Sequence, residues 1–371
     1  MGLKKILTSD FIFMQYSRII QIFPKIHILI LHTQYYLYTM ILLTGATGLL
    51  GSHIAYELVS KGEKVRALKR KNSSTALTEK IFRFYNSSPE ELLSKIEWIE
   101  GDLLDLGSLE DTMEGISIVY HSAAVVSFNP KEKDLMLQIN IEGTANLINI
   151  CLQSDVKKFC HISSIAALGF TIDGALINED VWWKNDPQNS WYAISKYGAE
   201  REVWRGAEEG LNVVILNPSF ILGPGNPTKT STEVFGVLRK GNAWFTLGEN
   251  GYVDVRDVAS AAVLLVESEL KNRRFILNAV NLSYKTFLDS ILTSLNKPKT
   301  KFSAGKFSLA VGWRFEKIIC ALTGKNPRIT RETAVTALQK NRYDGSAITK
   351  AIDFKYRDFD KSVEEISIFY K

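Results

Sequence analysis

From residue 40 onward the chain alternates short apolar runs with stretches of helical spacing. Met40-Ile41-Leu42-Leu43 is continuously apolar, and Ile54-Ala55-Tyr56-Glu57-Leu58-Val59 places apolar residues at i, i+3 and i+4. A strand followed by an amphipathic helix is predicted there. The same alternation continues with a strand at Val65-Arg66-Ala67-Leu68, a helix over 74–85, an alternating strand at Ile96-Glu97-Trp98-Ile99-Glu100 and a helix over 106–113. It goes on with a strand at 117–121, a long helix over about 133–153 and a strand at 158–162. Strands that alternate with helices in this way specify an α/β fold, a doubly wound, mostly parallel sheet with helices on both faces. Later, 274–277 reads as a strand and 284–295 as a helix, followed by apolar helices near 304–323 and 330–340 and a closing helical part over 344–371.

Chemistry enters between the first strand and the first helix. Gly45, Gly48 and Gly51 have the spacing G-x-x-G-x-x-G. Glycines there allow a tight turn, close approach of the backbone to a pyrophosphate and close packing of helix on strand, with the helix N–H groups facing the anion. Val65-Arg66-Ala67-Leu68 completes a βαβ unit, and the next residues are Lys69-Arg70-Lys71, where an NAD site usually carries Asp or Glu. Cations without a carboxylate favour a 2′-phosphate, hence NADP, and leave NAD open. The rival reading of this turn is a solvated basic surface. Asp102, at a strand end, is placed to accept from an adenine amino group, and the small turn Ser122-Ala123-Ala124-Val125 leaves room for a ribose or nicotinamide. His121 and Ser122 read equally well as structural polar residues.

Trp191-Tyr192-Ala193-Ile194-Ser195-Lys196 contains Tyr-x-x-x-Lys in a helical stretch. Residues at i and i+4 share a helix face, so the ammonium is expected beside the phenol, lowering its pKa toward neutral and fitting Tyr192 for acid/base work. Ser164, at the end of the preceding strand, can bond the same substrate oxygen.

Composition narrows the remaining classes. With 46% hydrophobic and 23% charged residues the chain is an ordinary globular sequence, and a net charge of +5 without a long basic block implies no nucleic-acid partner. Cys151, Cys160 and Cys320 are far apart and the five histidines form no ligand spacing, so neither a disulfide framework nor a metal site is expected and a cytoplasmic setting fits. Residues 1–39 hold broken apolar clusters interrupted by Arg18, Pro24 and Lys25. They predict no stable membrane insertion and read as an extension outside the fold, an over-extended start, with a peripheral membrane-binding segment as the rival.

Taken together, Thr44 to Gly51, Asp102, His121 to Ala124, Asn140 to Thr144, Ser163-Ser164, Tyr192 to Lys196 and Asn217-Pro218-Ser219 resemble the extended short-chain dehydrogenase/reductase superfamily, the NAD-dependent epimerase/dehydratase group. The likeness runs from Met40 to about residue 360. It implies a Rossmann domain, mainly residues 40–220, and a smaller C-terminal substrate lobe, mainly 221–371, with some segments returning to the core. It implies Ser164, Tyr192 and Lys196 as the catalytic triad, and Asn140 as a residue that organises the lysine through water. The implied cofactor contacts are Gly45, Thr47, Gly48, Leu49, Leu50, Gly51, Arg70, Asp102, Leu103, Ser122, Ala123, Ala124, Tyr192, Lys196, Asn217, Pro218 and Ser219. Ser164-Ile165-Ala166 lacks the acidic pair of dehydratases, and the Asn217-Pro218 form and Arg70 resemble dihydroflavonol-reductase-like and hydroxysteroid-dehydrogenase-like members. The expected reaction is hydride transfer between NADPH and the carbonyl or alcohol of a small hydrophobic or planar substrate, with Phe128, Trp191 and Phe220 as candidate substrate contacts. The alternatives are a nucleotide-sugar epimerase with tightly bound NAD and a non-catalytic NADP-sensing protein; a homodimer is compatible with each.

Overall fold

A computed structural model describes residues 40–371 except 172–173, 188, 229, 242–243 and 324–329. The expectations for residues 1–39 lie outside the described residues.

Strand β1 (Met40–Thr44) is apolar because both of its faces are covered, and Leu42 and Leu43 are fully buried. It turns at Gly45 into helix α1 (Leu49–Ser60), which leads to β2 (Val65–Lys69), α2 (Ala76–Tyr85) and β3 (Ile96–Glu100). Helix α3 (Leu106–Thr112) precedes β4 (Ile116–His121), and β5 (Lys158–Ile162), β6 (Val213–Pro218) and β10 (Arg273–Leu277) finish the main sheet. Its order is β10-β6-β5-β4-β1-β2-β3, and every pairing whose register is given is parallel. The chain moves outward from β1 to β3 and then crosses back to β4 on the other side of β1. That reversal opens a crevice at the carboxyl ends of β1 and β4, where doubly wound sheets bind ligands.

The long helix expected over 133–153 has a defect at its centre. Helix α4 (Lys133–Leu137) runs into a π turn (Gln138–Glu142) and on into α5 (Gly143–Leu152). One wide turn inside a helix changes the direction of one side chain, and such turns recur at functional sites; the residue at this turn's centre is Asn140.

Helix α6 (Trp191–Glu208) lies against the sheet and starts with Ser190 as its cap, whose hydroxyl accepts from Ala193 N–H. Beyond β6 the chain builds a second layer. Strands β7 (Phe220–Leu222) and β9 (Glu249–Asp254) pair in parallel, and β11 (Val280–Ser283) joins β9 antiparallel. Between these come helix α7 (Glu233–Leu238) and strand β8 (Trp244–Thr246); β9 leads into α8 (Val255–Glu267), and α9 (Tyr284–Ser294) follows β11. A cluster containing Leu222, Phe235, Tyr252, Phe287, Ile291 and Val363 forms the centre of this part, with Tyr252 stacked on Phe287 at 4.1 Å. The rest comprises β12 (Phe302–Ala304), α10 (Lys306–Thr323), α11 (Arg331–Thr336), α12 (Ser346–Ala351) and α13 (Phe359–Tyr370). The closing segment is thus two helices joined by an extended stretch, from which Phe354 packs into the main core.

Candidate active site

The crevice between the ends of β1 and β4 is a cleft of about 770 Å³ counted to its open mouth, lined by Thr44, Gly45, Gly48, Arg70, Asp102 and the turn 122–125, among others. Its floor depends on missing side chains. Gly45 adopts φ +74°, and a Cβ there would stand 2.7 Å from the Ala123 amide nitrogen. On Gly51 a Cβ would meet the Gly45 carbonyl oxygen at 2.0 Å, so only glycine lets α1 begin this close to the strand. Helix α1 is capped by Gly48, which has no capping side chain, and its first turn carries no acidic residue. Its leading N–H groups and the positive end of the helix dipole are left for an anion. These features fit the diphosphate of a dinucleotide.

Farther along the cleft, Asp102 fixes its own loop by accepting from Leu104 N–H at 3.0 Å. Lys69 is tied to Glu100 at 3.2 Å. Arg70 forms no ion pair among the described residues, and it lines this cleft together with Ser73.

At the inner end, Ser164 and Tyr192 come together. Ser164 caps a short 3₁₀ turn by accepting from Ala166 N–H, and its hydroxyl lies close enough to the Tyr192 phenol to favour the phenolate form. Lys196, one helical turn on, is 3% exposed and donates from Nζ to the Ile162 carbonyl at 2.8 Å. The structure reverses the expected direction of the tyrosine shift. Burial dominates and raises the Tyr192 pKa; the nearby Ser164 hydroxyl works against this, and Lys196 is engaged with Ile162 instead. Lys196 itself is pushed down to about 8 by burial, against the attraction of Glu200.

Asn140 does not reach the lysine with its side chain. Its amide oxygen accepts from Val125 N–H at 2.7 Å, and its amide nitrogen donates to Val125 O at 2.9 Å and to Ser195 Oγ at 3.0 Å. All its groups are thereby spent on clamping the cleft-side turn to the tyrosine helix. Asn217 donates to the Ser164 carbonyl at 3.0 Å and to Glu200 Oε2 at 2.8 Å, and its amide oxygen is buried with no partner among the described residues. Ser219 is buried with no partner for its hydroxyl among the described residues. Phe128 stands beside Tyr192 with ring centroids 5.9 Å apart, and Lys133 Nζ sits 3.6 Å above the Trp191 ring. Phe220 packs edge-on against Tyr252 and Phe287 in the second layer.

A family model described as the NAD dependent epimerase/dehydratase family matches residues 41–278. The chain belongs to that family. It is 30% identical over 312 residues to a Synechocystis sp. protein named provisionally as a dihydroflavonol 4-reductase, covering 82% of this chain and 86% of that one. To cinnamoyl-CoA reductase 1 of Petunia hybrida it is 29% identical over 248 residues, covering 64% and 72% of the two chains. The fold is shared with the UDP-glucose 4-epimerase of Thermus thermophilus in complex with NAD, at TM-score 0.68 and 20% identity, over 90% of this chain and 99% of the other. This member of the epimerase/dehydratase family is accordingly an NAD(P)-dependent enzyme of the extended short-chain dehydrogenase/reductase type.

One group important to the site has no reading in the sequence, and another has two. Glu200 follows Tyr192 and Lys196 at the next i+4 position, and its buried carboxylate accepts from Ser163 Oγ at 2.7 Å, Asn217 at 2.8 Å and Arg274 Nη1 at 3.1 Å. Its signal was the continued i+4 spacing. His121, which the sequence leaves open between a site residue and a structural polar one, is the second. Thr144 donates its one hydroxyl proton to the Asn140 carbonyl at 2.6 Å, so it accepts from His121 Nε2 at 3.0 Å. Nδ1 then accepts from Thr44 Oγ1 at 2.8 Å, and Thr44 accepts from Ala123 N–H at 3.2 Å. One neutral tautomer of His121 thus links the glycine turn to the π turn. Burial lowers its pKa to about 3, with Lys196 adding to the effect.

Proposed function

We propose that the chain is an NADP-dependent carbonyl reductase for a hydrophobic, planar substrate, with Ser164, Tyr192 and Lys196 as its catalytic residues. The observation that carries this reading is the closeness of the Ser164 hydroxyl to the Tyr192 phenol, with Lys196 on the same face of α6, beside a cleft that fits a dinucleotide. NADPH, when bound, would supply the hydride. Ser164 and Tyr192 would hold the substrate oxygen between two hydroxyls, and the phenol would hand its proton to that oxygen as charge develops there. A tyrosine kept protonated by burial suits this donor role. Lys196 would restore the phenol's proton and steady the site through its charge. Arg70, with no carboxylate partner among the described residues, and Ser73 would take the 2′-phosphate; Phe128 beside Tyr192 and the half-exposed Trp191 would flank a flat substrate. The layer built on β7, β9 and β11 would form the substrate lobe.

The test monitors NADPH and NADH absorbance with a panel of ketones, aldehydes and sugar nucleotides. Reduction of aryl or alicyclic carbonyls with a preference for NADPH is expected, and Tyr192→Phe should abolish turnover with cofactor binding retained. Conversion of a sugar nucleotide without added nicotinamide, on NAD that copurifies, would instead establish the epimerase reading. Full activity in Tyr192→Phe would overturn the residue assignment.

A further inference from the structure

The C-terminal part carries a surface that neither the core nor the cleft uses. Phe307, Val311, Phe315 and Ile319 recur every four residues on α10 and so share one helix face. All four are exposed, Phe307 at 84% and Phe315 at 64%. Just before the helix, Phe302 of β12 pairs in register with Trp244 of β8, their ring centroids 5.5 Å apart and both rings largely in solvent. A surface helix normally turns polar residues outward; here the outward stripe is aromatic and aliphatic. Isolated exposed apolar residues need no explanation, but a continuous exposed patch marks a contact surface.

The charge around the patch identifies the occupant. Residues 297–323 contain six Lys or Arg and one acidic residue, Glu316, so this segment alone carries a charge equal to the +5 of the whole chain. Lys297, Lys299 and Lys301, just before β12, and Lys306 and Arg314, on α10 itself, are all exposed. An exposed apolar face rimmed by cations has the make-up of a helix that lies in the plane of an anionic bilayer surface. Its Phe, Val and Ile side chains enter the headgroup boundary while Lys and Arg meet lipid phosphates. We propose that α10 and the β8–β12 pair dock this enzyme peripherally on anionic phospholipid membranes. A second copy of the chain is the poorer occupant, because a twofold contact would set these cations against their own copies. Among the described residues no helix is long and apolar enough to cross a membrane, so the contact is with the surface. The proposal goes beyond the reductase reading and stands without it.

Flotation of the full-length chain with phosphatidylcholine vesicles, with and without about 30% phosphatidylglycerol, tests it. The wild type is expected to float with the anionic vesicles and to be released by salt. Phe307→Ser/Phe315→Ser and, separately, Lys297→Glu/Lys299→Glu/Lys301→Glu should each lower the bound fraction at least about tenfold. Both should keep the wild-type melting temperature, since every substituted side chain is exposed. A wild type that does not float would overturn the proposal, as would a Phe variant that floats equally well, which would move the contact to another segment. A dimer by light scattering that the Phe variant dissolves, without vesicle binding, would assign the face to a second copy.

Discussion

Lys196 is an ammonium held in the protein interior, and removing it should stabilise the fold while destroying activity. Burial brings its pKa from 10.5 to about 8, which at 1.36 kcal/mol per pKa unit corresponds to about 3 kcal/mol of cost for keeping it charged. Below pH 8 the lysine is protonated in both folded and unfolded chains, and the whole cost applies. Between pH 8 and 10.5 the unfolded chain still binds a proton that the folded chain has released, so wild-type stability rises with pH through that window. Lys196→Met keeps the length of the side chain and removes the charge, at the loss of the hydrogen bond to the Ile162 carbonyl, worth about 1–2 kcal/mol with its orphaned acceptor. The expected net gain at pH 7 is therefore about 1–2 kcal/mol, or about 1.5–3 °C in melting temperature for a fold of this size. Toward pH 10.5 the gain should vanish and then change sign, because only the lost hydrogen bond remains. Melting curves of wild type and variant from pH 7 to 10.5, with urea titrations at the two ends, measure this. A stability difference that stays constant across the range would refute the account of Lys196 as a buried cation.

The remaining predictions concern acid stability, the glycine turn and the buried carboxylate. His53, His121 and His161 are buried and neutral, with burial lowering the first two to about 4 and about 3 and the third well below the usual range. The unfolded chain protonates all three near pH 6.5, so stability should drop as pH falls below that value, by up to about 1.4 kcal/mol per pH unit for each histidine. His161 has no partner for either ring nitrogen among the described residues; His161→Phe should be nearly neutral at pH 7 in urea titrations and remove about one third of the acid slope. Gly51→Ala drives a methyl into the Gly45 carbonyl, and should cost about 1–3 kcal/mol and weaken NADPH binding in a fluorescence titration; wild-type affinity and stability together would disprove the close approach. Glu200→Gln leaves the half-buried Arg274 without its carboxylate and should lower stability by about 3 kcal/mol. It also removes the attraction that supports the Lys196 charge, so the lysine's step in the pH profile of kcat/KM should move to lower pH; an unmoved profile would count against that coupling.

Much of this protein is legible along the chain because its determinants are local or periodic. The strands of the main sheet appear as apolar runs because helices cover both faces, and the glycine spacing is visible because a strand, a turn and a helix follow one another directly. The pairing of Tyr192 with Lys196 is visible for the same reason, as is Glu200 once the i+4 spacing is carried one step further. What only the tertiary structure decides is set by distance in sequence. Strands β7, β8 and β11 are short and β9 is largely polar, so none leaves a long apolar run, and they exist because partners far along the chain complete them. In one dimension Asn140 reads as a residue that organises the lysine and Asn217 as a cofactor contact; the fold adds that Asn140 bonds Val125 and Ser195 and that Asn217 bonds Ser164 and Glu200, all remote or across a turn. The tyrosine pKa likewise follows burial, a property of the packed molecule, and not the lysine four residues away. The apolar spacing of α10 predicts a helix, but only the fold shows that its stripe faces outward, since helical period alone does not say which side of a helix the rest of the chain will cover.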